Sequence, residues 1–234
     1  MKKLLKFLLI FFVIIFVLAA AGIYYILQPK SLGIKYTEAD LASFNQKIKV
    51  TPEALPTDTP LGKTLMAIGS HPVDETFTSE ELTAIADNRH KTYVYFPFNK
   101  VQIRVNSDGS VEGSATVNFQ DAVNYLMALG VSAADIEAGA AKFKIPKAAF
   151  PVYLKVSGNI VNNSGNINVL GAKIANIPVP ENLIKEYGPG INVLVESVIK
   201  DRQPSYNIEK LEVVDGRVRF KGPSPDREQT VRGN

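Results

Sequence analysis

An uncharged run from Phe7 to Leu27 constrains this chain more than any other feature. At about 1.5 Å of rise per residue, a helix of this length matches the roughly 30 Å hydrocarbon core of a bilayer. Lys2, Lys3 and Lys6 precede the run, and basic flanks stay on the cytoplasmic side of a membrane. The sequence therefore predicts that residues 1–28 form a cytoplasmic basic tip and a transmembrane anchor.

A cleaved signal peptide is the alternative interpretation of the same segment. Ala19, Ala20 and Ala21 supply an A-x-A cleavage site after a basic start and an apolar run. The apolar stretch nevertheless continues to Leu27, so cleavage at the alanines would leave an apolar new terminus, and a retained anchor is favoured. Both interpretations export the rest of the chain. The expected location is the cell membrane, with one span and an extracytoplasmic C-terminal domain.

The charge distribution argues against a nucleic-acid partner. The net charge of +3 equals the three lysines of the basic tip, and the other 23 Lys and Arg residues balance 23 Asp and Glu residues. Binding to nucleic acid requires a basic surface that neutralises phosphates. The chain also has no Cys, which excludes disulfides, thiolate metal sites and a Cys nucleophile.

Composition divides the remaining chain into three parts. Residues 29–76 combine weak helical spacing with the proline-rich stretch TPEALPTDTP, which predicts a membrane-proximal linker with short helices. Residues 77–222 carry the periodic patterns of an ordered domain. Residues 223–234 are polar and rich in Pro and Gly, which predicts a disordered tail.

Local signals within the ordered part predict an α+β fold. Thr78 and Glu81 form a capping box that begins a helix over 79–90. Further helices are expected near 120–130, 133–142 and after Pro180, the last broken at 188–190. Alternating apolar residues around turn sequences predict three hairpins, with turns at 107–110, 162–165 and 215–216. Hairpins interleaved with helices favour an antiparallel sheet packed on helices.

No catalytic signature is present. The chain has two histidines, His71 and His90, and a metal site would need more ligands than this pair supplies. Adjacent acids such as Glu80 and Glu81 are typical of solvated faces and helix N-termini. The aromatic run at 93–98 is more typical of core or sheet than of ligand stacking. We expect no enzyme activity, no cofactor and no metal.

Two blocks of sequence resemble a known family. The first is FTSEELTAIAD followed by FPFNKVQIRVNSDGSVEGSATVN, and the second is VSGNIVNNSGNINVLGAKIANIPVPENLI with the terminal IEKLEVVDGRVRFKG. Over 77–222 this order of elements resembles the YpmS-like membrane-anchored envelope proteins of Gram-positive bacteria and, more loosely, LmeA-like proteins. The resemblance implies a curved sheet wrapped on helices that is suited to holding a lipid or another amphiphile.

Three functions follow as hypotheses. The favoured one is a non-catalytic, membrane-anchored domain that binds a lipid or another envelope amphiphile. The alternative is a structural or partner-binding component of an envelope assembly, and an envelope hydrolase is the least favoured. For the first, the break at 188–190 allows a slot between helix and sheet. The expected lining residues are Val156, Ile167, Val169, Leu194 and Val198.

Overall fold

The computed structural model describes Gly22, Tyr24 and residues 27–142, 145–200 and 202–232. The predicted membrane segment at 7–27 lies outside these residues, apart from Gly22, Tyr24 and Leu27. Within the described ranges, no helix has both the length and the apolar character needed to cross a membrane.

The described residues form an α+β fold, as predicted. The helices are α1 (Glu38–Ile48), α2 (Ser79–Thr92), α3 (Phe119–Ala128), α4 (Ala133–Lys142), α5 (Glu181–Tyr187) and α6 (Gly190–Lys200). The strands are β1 (Thr51–Leu55), β2 (Leu65–Ile68), β3 (His71–Phe77), β4 (Phe98–Val105), β5 (Ser110–Val117), β6 (Phe150–Val161), β7 (Ser164–Ile174), β8 (Ile177–Pro178), β9 (Lys210–Val214), β10 (Arg217–Ser224) and β11 (Arg227–Val231).

The larger sheet is built around strand β6. Its order is β3-β10-β9-β6-β5-β4, and β7 pairs with the other side of β6 and with β8. On its first side, β6 pairs antiparallel with β5 as far as Ser157 and with β9 from Ile160 onwards. The sheet therefore continues from one side of β6 in two directions. The β4–β5 hairpin pairs with the first part of β6, and the ladder of β9, β10 and β3 continues from its last residues.

All three predicted hairpins are confirmed, as β4–β5, β6–β7 and β9–β10. Asn162 and Asn163 have φ angles of 50° and 66°, and Asp215 and Gly216 have 51° and 69°. Two successive positive φ angles are what a two-residue type I′ hairpin turn requires, and Asn, Asp and Gly adopt them most readily. Local sequence therefore accounts for the hairpins.

The predicted capping box at the start of α2 is also confirmed. Thr78 Oγ1 accepts a hydrogen bond from the Glu81 amide at 3.2 Å, and the Glu81 carboxylate accepts one from the Thr78 amide at 2.9 Å. The last predicted helix is divided, because α5 ends at Tyr187 and α6 begins at Gly190.

Helix α2 covers the edge strand β4 through side chains. Three polar side chains spaced four residues apart on α2 accept hydrogen bonds from alternate backbone amides of β4. The pairs are Ser79 with Val105 at 2.9 Å, Thr83 with Ile103 at 2.9 Å and Asp87 with Val101 at 2.8 Å. An uncovered edge strand would leave these donors free to pair with another chain.

The prediction of a linker with short helices at 29–76 is confirmed for one helix, α1, and is wrong for the linker. Strand β3 pairs with β10 in the larger sheet, and β1 and β2 both pair with β11 in a second sheet of order β1-β11-β2. Within the same range, a 3₁₀ turn at Leu61–Lys63 is followed by β2. Proline suggested a linker, but Pro52 lies in β1, an edge strand, where a missing N–H is tolerated.

The prediction of a disordered tail at 223–234 is wrong over its described part. Strand β10 continues to Ser224, and β11 lies between β1 and β2. Thr230 and Val231 are buried, at 1% and 3% exposure. The polar sequence of β11 gave no strand signal, because two distant segments supply its pairing.

Candidate ligand-binding cavities

A cavity lies where the larger sheet divides, and we call it cavity A. Its volume is about 320 Å³. On this side of β6, pairing with β5 ends at Ser157 and pairing with β9 begins at Ile160. The residues between them pair with neither strand. The hairpin β4–β5 and strands β9 and β10 supply opposite walls, and α2 contributes Leu82.

Aliphatic side chains dominate the lining of cavity A. They are Leu82, Ile103, Val111, Val156, Ile160, Ile167, Leu211, Val213 and Val218. Direct cross-strand pairs place Val111 beside Val156 and Val213 beside Val218, so these side chains share one face of the sheet. All nine except Ile160 are only half-buried. The inner face of the sheet is therefore incompletely covered here.

Gly158 is required where the sheet divides. Its φ angle is 128°, and a Cβ at this position would lie 1.9 Å from the backbone oxygen of Asn166. Only glycine combines this backbone conformation with so close an approach of the neighbouring strand.

A second apolar cavity, cavity B, lies between α3 and α6. Its volume is about 420 Å³. The lining residues are Pro97, Phe98, Ala122, Tyr125, Leu126, Leu129, Leu194, Val195, Val198, Ile199 and Ile208. Cavity A and cavity B have no lining residue in common.

Polar side chains hold α6 against the free edge of β7. Asn192 both accepts a hydrogen bond from the Ile167 amide at 2.8 Å and donates one to the Ile167 carbonyl at 3.0 Å. Glu196, one turn further along, accepts a hydrogen bond from the Gly165 amide at 2.9 Å. This is the same device that joins α2 to β4, and it places α6 beside the sheet.

The structure divides the predicted slot between the two cavities. Val156 and Ile167 line cavity A, whereas Leu194 and Val198 line cavity B. Val169 is among the lining residues of neither, and it lies next to Gly188 at the junction of α5 and α6. A single slot over all five residues is therefore not present, because Asn192 and Glu196 turn the apolar side of α6 towards α3.

Sequence reasoning missed most of the lining of cavity A. Ile103 and Val111 belong to the apolar alternation that predicted the first hairpin, so their orientation follows from the sequence. Leu82, Leu211 and Val218 come from distant segments, and nothing local indicates that they meet.

The opposite face of the sheet carries a charged cluster around Glu112. Its carboxylate accepts hydrogen bonds from Lys30 Nζ at 3.1 Å, from the Tyr153 hydroxyl at 2.7 Å and from Asn106 Nδ2 at 3.2 Å. Burial raises the pKa of Glu112, but these hydrogen bonds outweigh it and lower the pKa to about 2. Both carboxylate oxygens of Glu112 thus accept hydrogen bonds from other residues of the chain.

A third cleft, of about 550 Å³, lies between α1, α2 and β1. Arg89 and Glu228 form a bidentate ion pair in its wall, at 2.6 and 2.7 Å. Burial, together with the charge of Glu228, raises the pKa of Tyr206 in the same wall to about 12. The ion pair joins α2 to the second sheet, so its charges are already matched.

The two histidines lie on different elements, His71 on β3 and His90 on α2. His71 Nδ1 lies 2.8 Å from Asp226 Oδ1, and Nε2 lies 3.0 Å from the backbone oxygen of Ile48. His71 lies at the start of β3 and links the end of α1 to the turn before β11. His90 is exposed in the last turn of α2. Across the part of the chain that the structure describes, no group of three or more His, Asp or Glu residues could hold a metal ion.

Comparison with known proteins identifies no relative: no family model, no curated protein and no solved structure matches this chain. The resemblance to YpmS-like proteins accordingly stays a prediction.

Proposed function

We propose that this protein is a non-catalytic, membrane-anchored domain that holds the apolar chain of a lipid or another envelope amphiphile in cavity A. Residues 7–27 anchor it, and the described domain lies outside the cytoplasm. One observation carries the proposal: aliphatic side chains on the inner face of the sheet surround a cavity and stay only half-buried.

The size and chemistry of cavity A fit an apolar chain. Ligand pockets commonly have volumes of about 300–1,000 Å³, and cavity A lies at the lower end of that range. Its one charged lining residue, Glu212, forms an ion pair with Lys210 at 2.7 Å. Removing apolar surface from water contributes about 25 cal/mol per Å², so an apolar chain would stabilise this open face.

Native mass spectrometry of the full-length protein, extracted from cells in detergent, tests the proposal. Wild-type protein should carry a co-purifying lipid, and Val156→Trp, which fills cavity A, should lose it. Val161→Trp is the matched control, because Val161 lies in the same strand and is 41% exposed. It should retain the lipid.

Two further variants keep the test decisive. If Val156→Trp unfolds, Val218→Glu places a charge at the cavity wall, where an apolar chain cannot solvate it, and should also release the lipid. Val198→Trp fills cavity B and should leave the lipid in place. Loss of lipid from Val198→Trp alone would move the site to cavity B, and lipid-free wild-type protein would contradict the proposal.

A partner-binding role in an envelope assembly is the second candidate. Val193 on α6 and Leu170 on β7 are 69% and 54% exposed, which is unusual for large aliphatic residues. Cysteines introduced at these two positions allow cross-linking in cells. Capture of the same envelope protein from both positions would favour this role. The wild-type protein, which has no Cys, is the control.

A further inference from the structure

The segment that follows the predicted anchor is fastened to the domain. Residues 28–36, which we call the strap, run across the polar face of the sheet. Lys30 Nζ lies 3.1 Å from the Glu112 carboxylate and 3.9 Å from the centre of the Tyr153 ring. Leu32 is only 4% exposed, and its amide donates a hydrogen bond to Gln102 Oε1 at 2.7 Å.

Both ends of the strap are held as well. At its far end, the Tyr36 hydroxyl donates a hydrogen bond to Asp87 at 2.8 Å. At its near end, the backbone oxygen of Gln28 accepts a hydrogen bond from Asn176 Nδ2 at 2.9 Å. The Gln28 side chain lies 3.5 Å from Lys100 Nζ. The domain is therefore attached from the first residue after the predicted span, with no free linker between them.

These attachments determine which part of the domain lies next to the anchor. Asn176 belongs to the turn between β7 and β8, and Lys100 lies near the start of β4. Both mark the same end of the larger sheet, because Phe98 pairs with Val117, Val117 with Phe150, and the Ala175 amide with the Pro151 oxygen. We call this the proximal end. Consecutive Cα atoms are about 3.8 Å apart, so a bilayer surface that meets the chain at Leu27 lies within a few ångströms of it.

The exposed residues of the proximal end match a lipid surface. Ile177, directly after the turn, is 69% exposed. Lys35 and Lys100 are exposed and line one groove beside the strap. The carboxylate in that groove, Asp87, accepts hydrogen bonds from Tyr36 and from the Val101 amide. An exposed apolar side chain and lysines at the same end of a domain are a combination that binds an anionic membrane interface.

We propose that the proximal end is a docking surface for the bilayer, with Ile177 at headgroup depth and Lys35 and Lys100 against anionic headgroups. The strap makes this contact obligatory by leaving no flexible linker. This inference rests on the proposed function, because it requires the chain to be anchored through 7–27. It adds the orientation of the domain and the surface that meets the lipid.

Single tryptophans in the full-length protein test the docking. The chain contains no Trp, so each substitution introduces a unique fluorophore. The protein is reconstituted in vesicles of phosphatidylcholine and phosphatidylglycerol whose acyl chains are brominated near the headgroup. The tryptophan of Ile177→Trp should show a blue-shifted emission, and the bromine atoms should quench its fluorescence. Val161→Trp, exposed at the opposite end of the β6–β7 hairpin, should show neither change.

Two companion measurements separate the possible failures. Adding Leu32→Asn to Ile177→Trp should release the strap and restore the fluorescence, and unchanged quenching would overturn the role of the strap. Flotation with the vesicles reports anchoring. An anchored protein with unquenched Ile177→Trp overturns the docking surface alone, while a protein that fails to float overturns the anchor on which the proposed function depends.

Discussion

Glu112 illustrates how single residues couple the strap to the sheet. Its pKa in the folded protein is about 2, lowered from an ordinary value of 4.5 by Tyr153, Lys30 and Asn106. A carboxyl group whose pKa is lowered by folding stabilises the fold fully above its unfolded pKa. That contribution is lost as the pH falls from about 4.5 to about 2.

We predict that Glu112→Gln destabilises the protein by about 1–3 kcal/mol at pH 7, because a charged, buried hydrogen-bond acceptor is lost. The difference in melting temperature from wild type should shrink steadily below pH 4.5 and vanish near pH 2. Thermal unfolding of the full-length protein in detergent across this pH range measures both effects. A difference that stays constant with pH would show that Glu112 is not ionised in the way the structure implies.

Thr78 caps α2, and its hydroxyl is the acceptor for the Glu81 amide. Thr78→Ala should therefore lower stability by about 0.5–2 kcal/mol, since one N-terminal amide of the helix loses its partner. Ser70→Ala, at an exposed position, is the control and should leave the melting midpoint unchanged. Equal midpoints for the two variants would argue against a stabilising cap.

At the scale of elements, two helices cover two strand edges with polar side chains. The arrangement works because four residues of helix rise about 6 Å and two residues of strand span about 6.6 Å, so every fourth helix side chain meets every second strand amide. Ser79, Thr83 and Asp87 follow this spacing on α2, and Asn192 and Glu196 follow it on α6. The helices thus lie beside the sheet and leave part of its apolar face open.

Thr83 should contribute most clearly to this covering, because its hydroxyl bonds both the amide and the carbonyl of Ile103 and the residue is 1% exposed. Thr83→Val keeps the shape and removes both bonds, so we expect a loss of about 1–3 kcal/mol. Chemical denaturation measures the change, with Thr51→Val in the exposed edge strand β1 as the control. A loss no larger than that of the control would mean that the edge amides of β4 are satisfied by water.

The covering of the β7 edge by α6 can be tested at the backbone amide of Ile167. The Ile167 amide donates its hydrogen bond to Asn192 Oδ1, so Asn192→Ala should accelerate its exchange with deuterium. Amides of β5 are paired on both sides within the sheet and should keep their protection. Unchanged exchange at Ile167 would show that α6 is held in place by other contacts.

For the whole molecule, the C-terminal strand is an integral part of the fold. Strand β11 supplies pairing to both β1 and β2, and Glu228 is the partner of the half-buried Arg89. Ending the chain at Ser224 leaves that cation without its carboxylate and removes the strand that joins β1 to β2, and both losses destabilise the fold.

We therefore expect a chain that ends at Ser224 to lose its cooperative unfolding transition, as followed by circular dichroism in detergent. Removing only residues 233–234, which lie beyond β11, should preserve that transition. A cooperative transition at the wild-type temperature in the shorter chain would restore the interpretation of this region as a tail.

A sequence prediction succeeded where neighbouring residues determine the structure and failed where distant segments determine it. The hairpin turn at Asn162 and Asn163 and the cap at Thr78 need only their neighbours, and both are present. Strand β11 was missed because REQTV carries no apolar alternation, and its strand conformation depends on β1 and β2, which lie more than 150 residues away. Val156 and Ile167 line cavity A, but the position of α6 places Leu194 and Val198 in cavity B.

The sequence by itself determined the elements whose energetics are local: the predicted apolar segment, the capped helix, the three hairpins and the division of the sheet into an apolar and a polar face. Only the tertiary structure decided what those elements enclose. Cavity A exists because β5 and β9 share one side of β6 and diverge at Gly158, and the strap lies on the polar face because Lys30 meets Glu112 there. Such placements depend on contacts between distant segments, and alternation, turns and caps carry no information about which distant segment a face will meet.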